Sequence, residues 1–144
     1  MRGNKNLLLI VMLIMILLCG ISFLPTNFET ILSQFKAEKK DMSKLAYLLL
    51  QLDSESIYIS DELISGLSDD NAKEVEKFAA NLMDKCNLLY VEKYRSSVFF
   101  CYKAHMGNGI GMAYTSNGKK PKSNYGKMIY VKQIESNWFY CKLD

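Results

Sequence analysis

The chain has 144 residues, a formal net charge of +3 and 49% hydrophobic residues, with one histidine and four cysteines. A single histidine excludes a multi-histidine metal centre, no Cys-x-x-Cys pair offers a zinc or thioredoxin-like motif, and the apolar fraction argues for a folded core over disorder. The length beyond Pro25 suits one compact domain and is too short for two of ordinary size.

The first predicted element is the uncharged run 7–24, "LLLIVMLIMILLCGISFL", 18 residues long. At about 1.5 Å per residue a helix of that length covers roughly 27 Å, close to the thickness of a bilayer's hydrocarbon core. Secretory signals also start with basic residues, here Arg2 and Lys5, but their apolar segment stops after roughly 7–15 residues. The best small pair for cleavage, Gly20 and Ser22, runs directly into Phe23, Leu24 and Pro25. The expectation is a retained transmembrane anchor; a secreted soluble domain after signal cleavage is the alternative. Cys19 and Gly20 are shared with a bacterial lipobox, but Leu18 stands where a lipobox carries a small residue. Cys19 therefore reads as a small apolar residue of the span. Type IV prepilins also join an apolar N-terminal helix to an antiparallel sheet, yet Asn4, Lys5 and Asn6 follow Gly3 where that pattern has an apolar residue and then a glutamate.

Arg2 and Lys5 precede the span with no acid beside them, whereas Lys36, Lys39 and Lys40 beyond it alternate with Glu29, Glu38 and Asp41. That bias places residues 1–6 in the cytoplasm and the rest outside it, in a single-pass cell-membrane protein. The expected organisation is a cytoplasmic N-terminus over 1–6, an anchor over 7–24 in contact with membrane lipid, a juxtamembrane helical linker over 25–44 and an extracytoplasmic domain over 45–144.

Pro25 ends or kinks the anchor and Asn27 can cap a new helix. Phe28, Ile31, Leu32, Phe35, Met42, Leu45, Leu49 and Leu52 then share one face of a helix over about 28–53. Glu38 and Lys39 interrupt the heptad spacing, so the reading is an exposed first half and a packed second half; a homodimer seam through 28–52 is the sharper alternative. A short strand follows at Ile57 to Ile59. Ser68, Asp69 and Asp70 then suit a helix start, with Ala72, Val75, Ala79, Leu82, Met83 and Cys86 on one face of a helix over 69–86.

From Leu88 the pattern changes to β-rich runs separated by Gly, Asn and Ser, with strands at about 88–94, 98–105, 109–115, 126–134 and 137–143. The fold class is α+β: an N-terminal transmembrane helix, then two amphipathic helices packed on one face of an antiparallel meander of about five strands. Alternation puts Val98, Phe100 and Tyr102 on the core face of one strand and Phe139, Cys141 and Leu143 on the core face of the last. Trp138 and Tyr140 would then stand outside as an aromatic binding face.

Charge divides along the chain. Residues 45–87 carry nine acids against three lysines, and residues 88–144 nine bases against three acids. Lys119, Lys120, Lys122 and Lys127 form a candidate basic surface for anionic lipid or an acidic partner. Outside the cytoplasm disulfides are permitted, and the face assignment pairs Cys86 with Cys141 between helix and sheet, leaving Cys101 as a thiol. Three reduced, buried cysteines are the alternative.

Catalytic sets are not evident. Cys101 and His105 lie on one strand, where residues four apart stand roughly 13 Å from each other, beyond hydrogen-bond reach. "GNGIGMAY" contains G-x-G-x-G, but a strand follows it rather than the helix N-terminus that a phosphate cradle needs. Gly107, Gly109 and Gly111 read as a hairpin turn and a close-packing strand position. No catalytic residue, cofactor or metal ligand is assigned, and nucleic acid is disfavoured for an exported domain. The functional expectation is a membrane-anchored, non-enzymatic binding or assembly module with a protein partner, of the immunity or envelope-complex accessory kind. A small hydrolase using Asp61, Glu62, Asp69 or Asp70 is the alternative from another class.

Overall fold

The computed structural model describes residues 28–67, 72–105 and 108–144. The anchor 7–24, Cys19, Asn27 and the acids Asp69 and Asp70 lie outside them. Among the described residues no helix is long and apolar enough to cross a membrane.

Two helices, α1 (Phe28–Gln51) and α2 (Ala72–Cys86), accompany seven strands: β1 (Ser56–Ser60), β2 (Ile64–Ser65), β3 (Tyr90–Tyr94), β4 (Ser97–His105), β5 (Asn108–Thr115), β6 (Met128–Glu135) and β7 (Trp138–Leu143). The strands form one antiparallel sheet in the order β2-β1-β3-β4-β5-β7-β6. The fold is α+β, as the sequence implies, but the meander is broken at both ends. β1 turns back on the two-residue β2 and reaches β3 through α2, and β6 skips past β5 so that β7 fills the place between them.

Local chemistry fixes these elements. The face Val75, Ala79, Leu82, Met83 and Cys86 of α2 is buried. The helix ends at Asn87, whose φ of 51° lets Leu88 N–H reach Met83 O at 2.9 Å. Asparagine tolerates this left-handed position better than most side chains, and the bond satisfies a carbonyl the helix would otherwise orphan. Arg95, also at positive φ, makes the two-residue turn that pairs Tyr94 with Ser97.

α1 packs along its whole length. Ile31 and Phe35 of its first half are fully buried, as are Met42, Leu45 and Leu49 of its second. The Phe35 ring lies 4.7 Å from that of Trp138. The segment expected as a juxtamembrane helical linker over 25–44 is helical from Phe28 on, but it packs on the domain along its first half instead of standing exposed. The break at Glu38 and Lys39 has a plain use: Lys39 pairs with Glu135 on β6, and Glu38 and Asp41 pair with Lys85 at the end of α2. The apolar face that a homodimer seam through 28–52 would need is occupied by the chain's own sheet.

Both faces of the sheet are buried. On the helix side Ile57, Ile59, Val91, Val98, Phe100, Met112, Trp138 and Tyr140 pack under α1 and α2. Registry carries that face across the strands: Phe100 stands opposite Met112, and Met112 opposite Tyr140. On the other side Phe99, Cys101, Ala113, Phe139, Cys141 and Leu143 form a second apolar cluster. On this side the Tyr90 side chain of β3 reaches across β4, its hydroxyl 3.0 Å from where a Cβ on Gly109 of β5 would stand. Gly111 is the close-packing position the sequence suggests: a Cβ there would lie 1.9 Å from Phe100 O, beside the β4 irregularity between Cys101 and Lys103.

Candidate functional site

The segment between β5 and β6 is a strap. Residues 116–127 leave Thr115, and Lys122 N–H donates to Ser97 Oγ at 3.1 Å. Ser123 Oγ then donates to Glu92 Oε2 at 2.7 Å, and Asn124 N–H to Glu92 Oε1 at 2.5 Å. The Tyr125 ring lies 4.7 Å from that of Tyr58, which stacks on Tyr90. Pro121 is buried. The strap thus crosses β4, β3 and β1 and lies over the second apolar cluster.

Glu92 anchors it. Its carboxylate is 1% exposed in the middle of the sheet, where an unpaired charge would be strongly unfavourable. Burial pushes the carboxyl above its ordinary range, while the bonds from Ser123, Asn124 and the Tyr125 backbone oppose that shift. Lys93, on the helix side of the same strand, is 5% exposed and donates to Leu52 O just past the end of α1. Burial lowers its pKa. Adjacent charged residues on β3 therefore tie down the strap on one face and the helix end on the other.

The strap explains where the expected site residues lie. Lys119, Lys120, Lys122 and Lys127 are exposed on it, so they are available to an anionic partner, but on a loop held by backbone and carboxylate bonds. Trp138 and Tyr140 are not an outward aromatic face. They are 3% and 4% exposed under α1, and the residues assigned to the core, Phe139, Cys141 and Leu143, belong to the cluster on the opposite face of the sheet. The alternation of β7 is real, but both of its faces are covered, so alternation cannot say which one meets the helices.

The same swap separates the cysteines. Cys86 belongs to the helix-side cluster and Cys141 to the strap side, with the sheet between them. The expected Cys86–Cys141 disulfide is not formed, and Cys86, Cys101 and Cys141 are all free and buried. Burial pushes the Cys86 thiol up to about 11 and Cys141 to about 12, and raises Cys101 as well. Thiols held protonated in this way are poor nucleophiles and poor metal ligands. Among the described residues no group of three or more His, Cys, Asp and Glu is placed to hold a metal ion.

Two clefts lie at the β1–β2 end of the sheet. A cleft of 370 Å³ is bordered by Tyr58, Ser60, Asp61, Glu62, Leu89, Tyr90 and Ala104. A second, of 240 Å³, shares Asp61 and Leu89 and adds Met83, Asp84, Asn87 and Leu88. Leu63, Ile64 and Leu89 are 56%, 40% and 47% exposed at this end. Sequence reasoning picked out Asp61 and Glu62 as candidate acids and missed the leucines. β2 is only two residues long, and Leu63 and Ile64 sit at the turn of the hairpin it makes with β1.

Compared with protein-family models, with curated proteins and with solved structures, the chain has no match.

Proposed function

We propose that the protein is a single-pass, membrane-anchored, non-enzymatic binding or assembly module whose domain lies on the extracytoplasmic side and captures a protein partner at its β1–β2 end. One observation carries this reading. Leu63, Ile64 and Leu89 are large and exposed at the end of the sheet that carries two shallow clefts with acidic borders, and Leu89 lines both of them. Exposed apolar side chains beside polar groups mark a protein-binding surface more often than a catalytic one. Asp61, Glu62 and Asp84 would favour a partner with basic residues around an apolar anchor.

The anchor reading rests on the uncharged length of 7–24 and on Arg2 and Lys5 before it. An immunity or envelope-complex accessory role fits a tethered domain that offers one small docking end. The test is photo-crosslinking in intact cells, with the reactive group at Leu63 or Leu89 and a control at Tyr47, which is 63% exposed on α1. The reading expects one discrete product from the two leucine positions, none from Tyr47, and loss of the product in a Leu63→Asp variant that keeps its melting temperature. Equal products from all three positions would dismiss the docking end. Protection of the domain from protease added outside spheroplasts would dismiss the topology.

A further inference from the structure

The chain enters the described domain at Phe28, which lies against the edge of the sheet formed by β6 and β7. The Phe28 ring is 4.9 Å from that of Tyr140, and Lys132 Nζ is 4.5 Å from the centre of the Phe28 ring. Tyr130 packs on Tyr140 at 6.1 Å, and Lys142 Nζ lies 5.8 Å from the Tyr130 ring. Next to them Ile129 is 56% and Tyr130 47% exposed. Neither Lys132 nor Lys142 has a carboxylate partner within ion-pair distance among the described residues. An aromatic, apolar and basic patch of this kind, its lysines without carboxylate partners, suits the headgroup region of a bilayer.

We infer that this β6–β7 edge is a membrane-contact surface: Ile129 and Tyr130 enter the headgroup boundary of an anionic bilayer, and Lys132 and Lys142 meet its lipid phosphates. The inference rests on the reading of 7–24 as an anchor. Only Pro25, Thr26 and Asn27 separate Leu24 from Phe28, and four chain steps span at most about 14 Å even when fully extended. The end of a spanning segment therefore holds this edge, rather than any other, close to the lipid. The sheet order strengthens the argument. The acidic stretch 45–87 supplies β1, β2 and α2 at one end, while β6 and β7 come from the basic stretch 88–144 at the other. Turned this way, the domain points its acidic, apolar-rimmed end away from an anionic surface.

A second strand is a worse occupant of the same edge. β6 breaks register with β7 at two places, between Met128 and Tyr130 and between Gln133 and Glu135. Bulges and an edge lysine are devices that discourage strand addition.

The experiment uses the full chain reconstituted in vesicles of phosphatidylcholine alone or with added phosphatidylglycerol, followed by gradient flotation and hydrogen exchange. Two lysines at an anionic surface contribute about fivefold each, so exchange over 128–135 is expected to slow by roughly 25-fold when phosphatidylglycerol is present. Exchange over 56–65 at the far end stays unchanged, and a Lys132→Glu/Lys142→Glu variant loses the slowing while exchange over 97–105 shows that its core is intact. Flotation with equal exchange over 128–135 in both lipids overturns the surface and leaves the anchor standing. Slowing that grows with protein density in phosphatidylcholine alone assigns the edge to a second copy and overturns it too. A chain that floats with neither vesicle overturns the anchor and the surface together.

Discussion

The strap makes a sharp prediction because one buried side chain holds it. Glu92→Ala removes the acceptors for Ser123 Oγ and Asn124 N–H. At roughly 1 kcal/mol net per bond the closed strap should lose about 2 kcal/mol, which raises its open population by roughly 30-fold. The cysteines read this out by position. Cys101 and Cys141 belong to the cluster on the strap's face of the sheet, and Cys86 lies on the helix side. In native buffer, maleimide should label Cys101 and Cys141 of the variant well before Cys86, whose rate follows global unfolding. Glu92→Gln should stay closed, because its amide oxygen can accept from Asn124 N–H while its NH₂ donates to Ser123 Oγ.

The pH dependence has a definite sign. Burial raises the Glu92 carboxyl above its unfolded value, so between those two values the folded state holds more protons than the unfolded one. Stability is greatest below the unfolded carboxylate range and falls as pH rises through the folded value. Urea unfolding of the wild type across that window should therefore show a slope that Glu92→Gln lacks. One labelling phase for all three cysteines in Glu92→Ala, or identical pH slopes in wild type and Glu92→Gln, would refute the role given to this carboxylate.

Other substitutions probe the packing. Phe35→Ala should cost about 3–5 kcal/mol in urea unfolding, as expected for a large buried aromatic and far more than an exposed linker residue would cost. Gly111→Ala forces a Cβ toward Phe100 O, where it would stand 1.9 Å away; we expect a loss of about 2 kcal/mol or more and poor expression. Non-reducing peptide mass analysis of the folded protein should find Cys86, Cys101 and Cys141 unlinked, and mild oxidation should join Cys86 to Cys141 only after denaturation.

Much of this fold is legible in the sequence, and the parts that are not have identifiable causes. The two helices declare themselves by periodicity, and five strands start and stop close to where Gly, Asn and Ser place them. β2 is two residues long and carries no pattern of its own. The packing of α1's first half is hidden because Glu38 and Lys39 look like the end of an apolar stripe, although they serve as partners for Lys85 and Glu135. The strap is hidden most completely. "SNGKKPKSN" has the composition of a solvated turn, and nothing local shows that Ser123 and Asn124 reach a glutamate some thirty positions back.

A signal for the second core nevertheless stands in β5. Gly109, Gly111 and Ala113 share one side of that strand, opposite Ile110, Met112 and Tyr114. If that small-residue side faced water it would gain nothing from being small. Facing inward, it leaves room for Phe139, Cys141 and Leu143 from β7 and for Phe99 and Cys101 from β4. Phe99 and Phe139 stand directly opposite Ala113, and Cys101 and Cys141 directly opposite Gly111. Small positions flanked by large ones on both neighbours indicate a concave surface that something must cover. Among the described residues the longest stretch free of helix or strand is 116–127, and Glu92 is the acid on the strand beside Phe99. Read together, the small side of β5 and the lone carboxylate on an otherwise apolar strand face make a covered second core the economical explanation. They also predict that bulk added at Ala113 should displace the strap before it disturbs the helices.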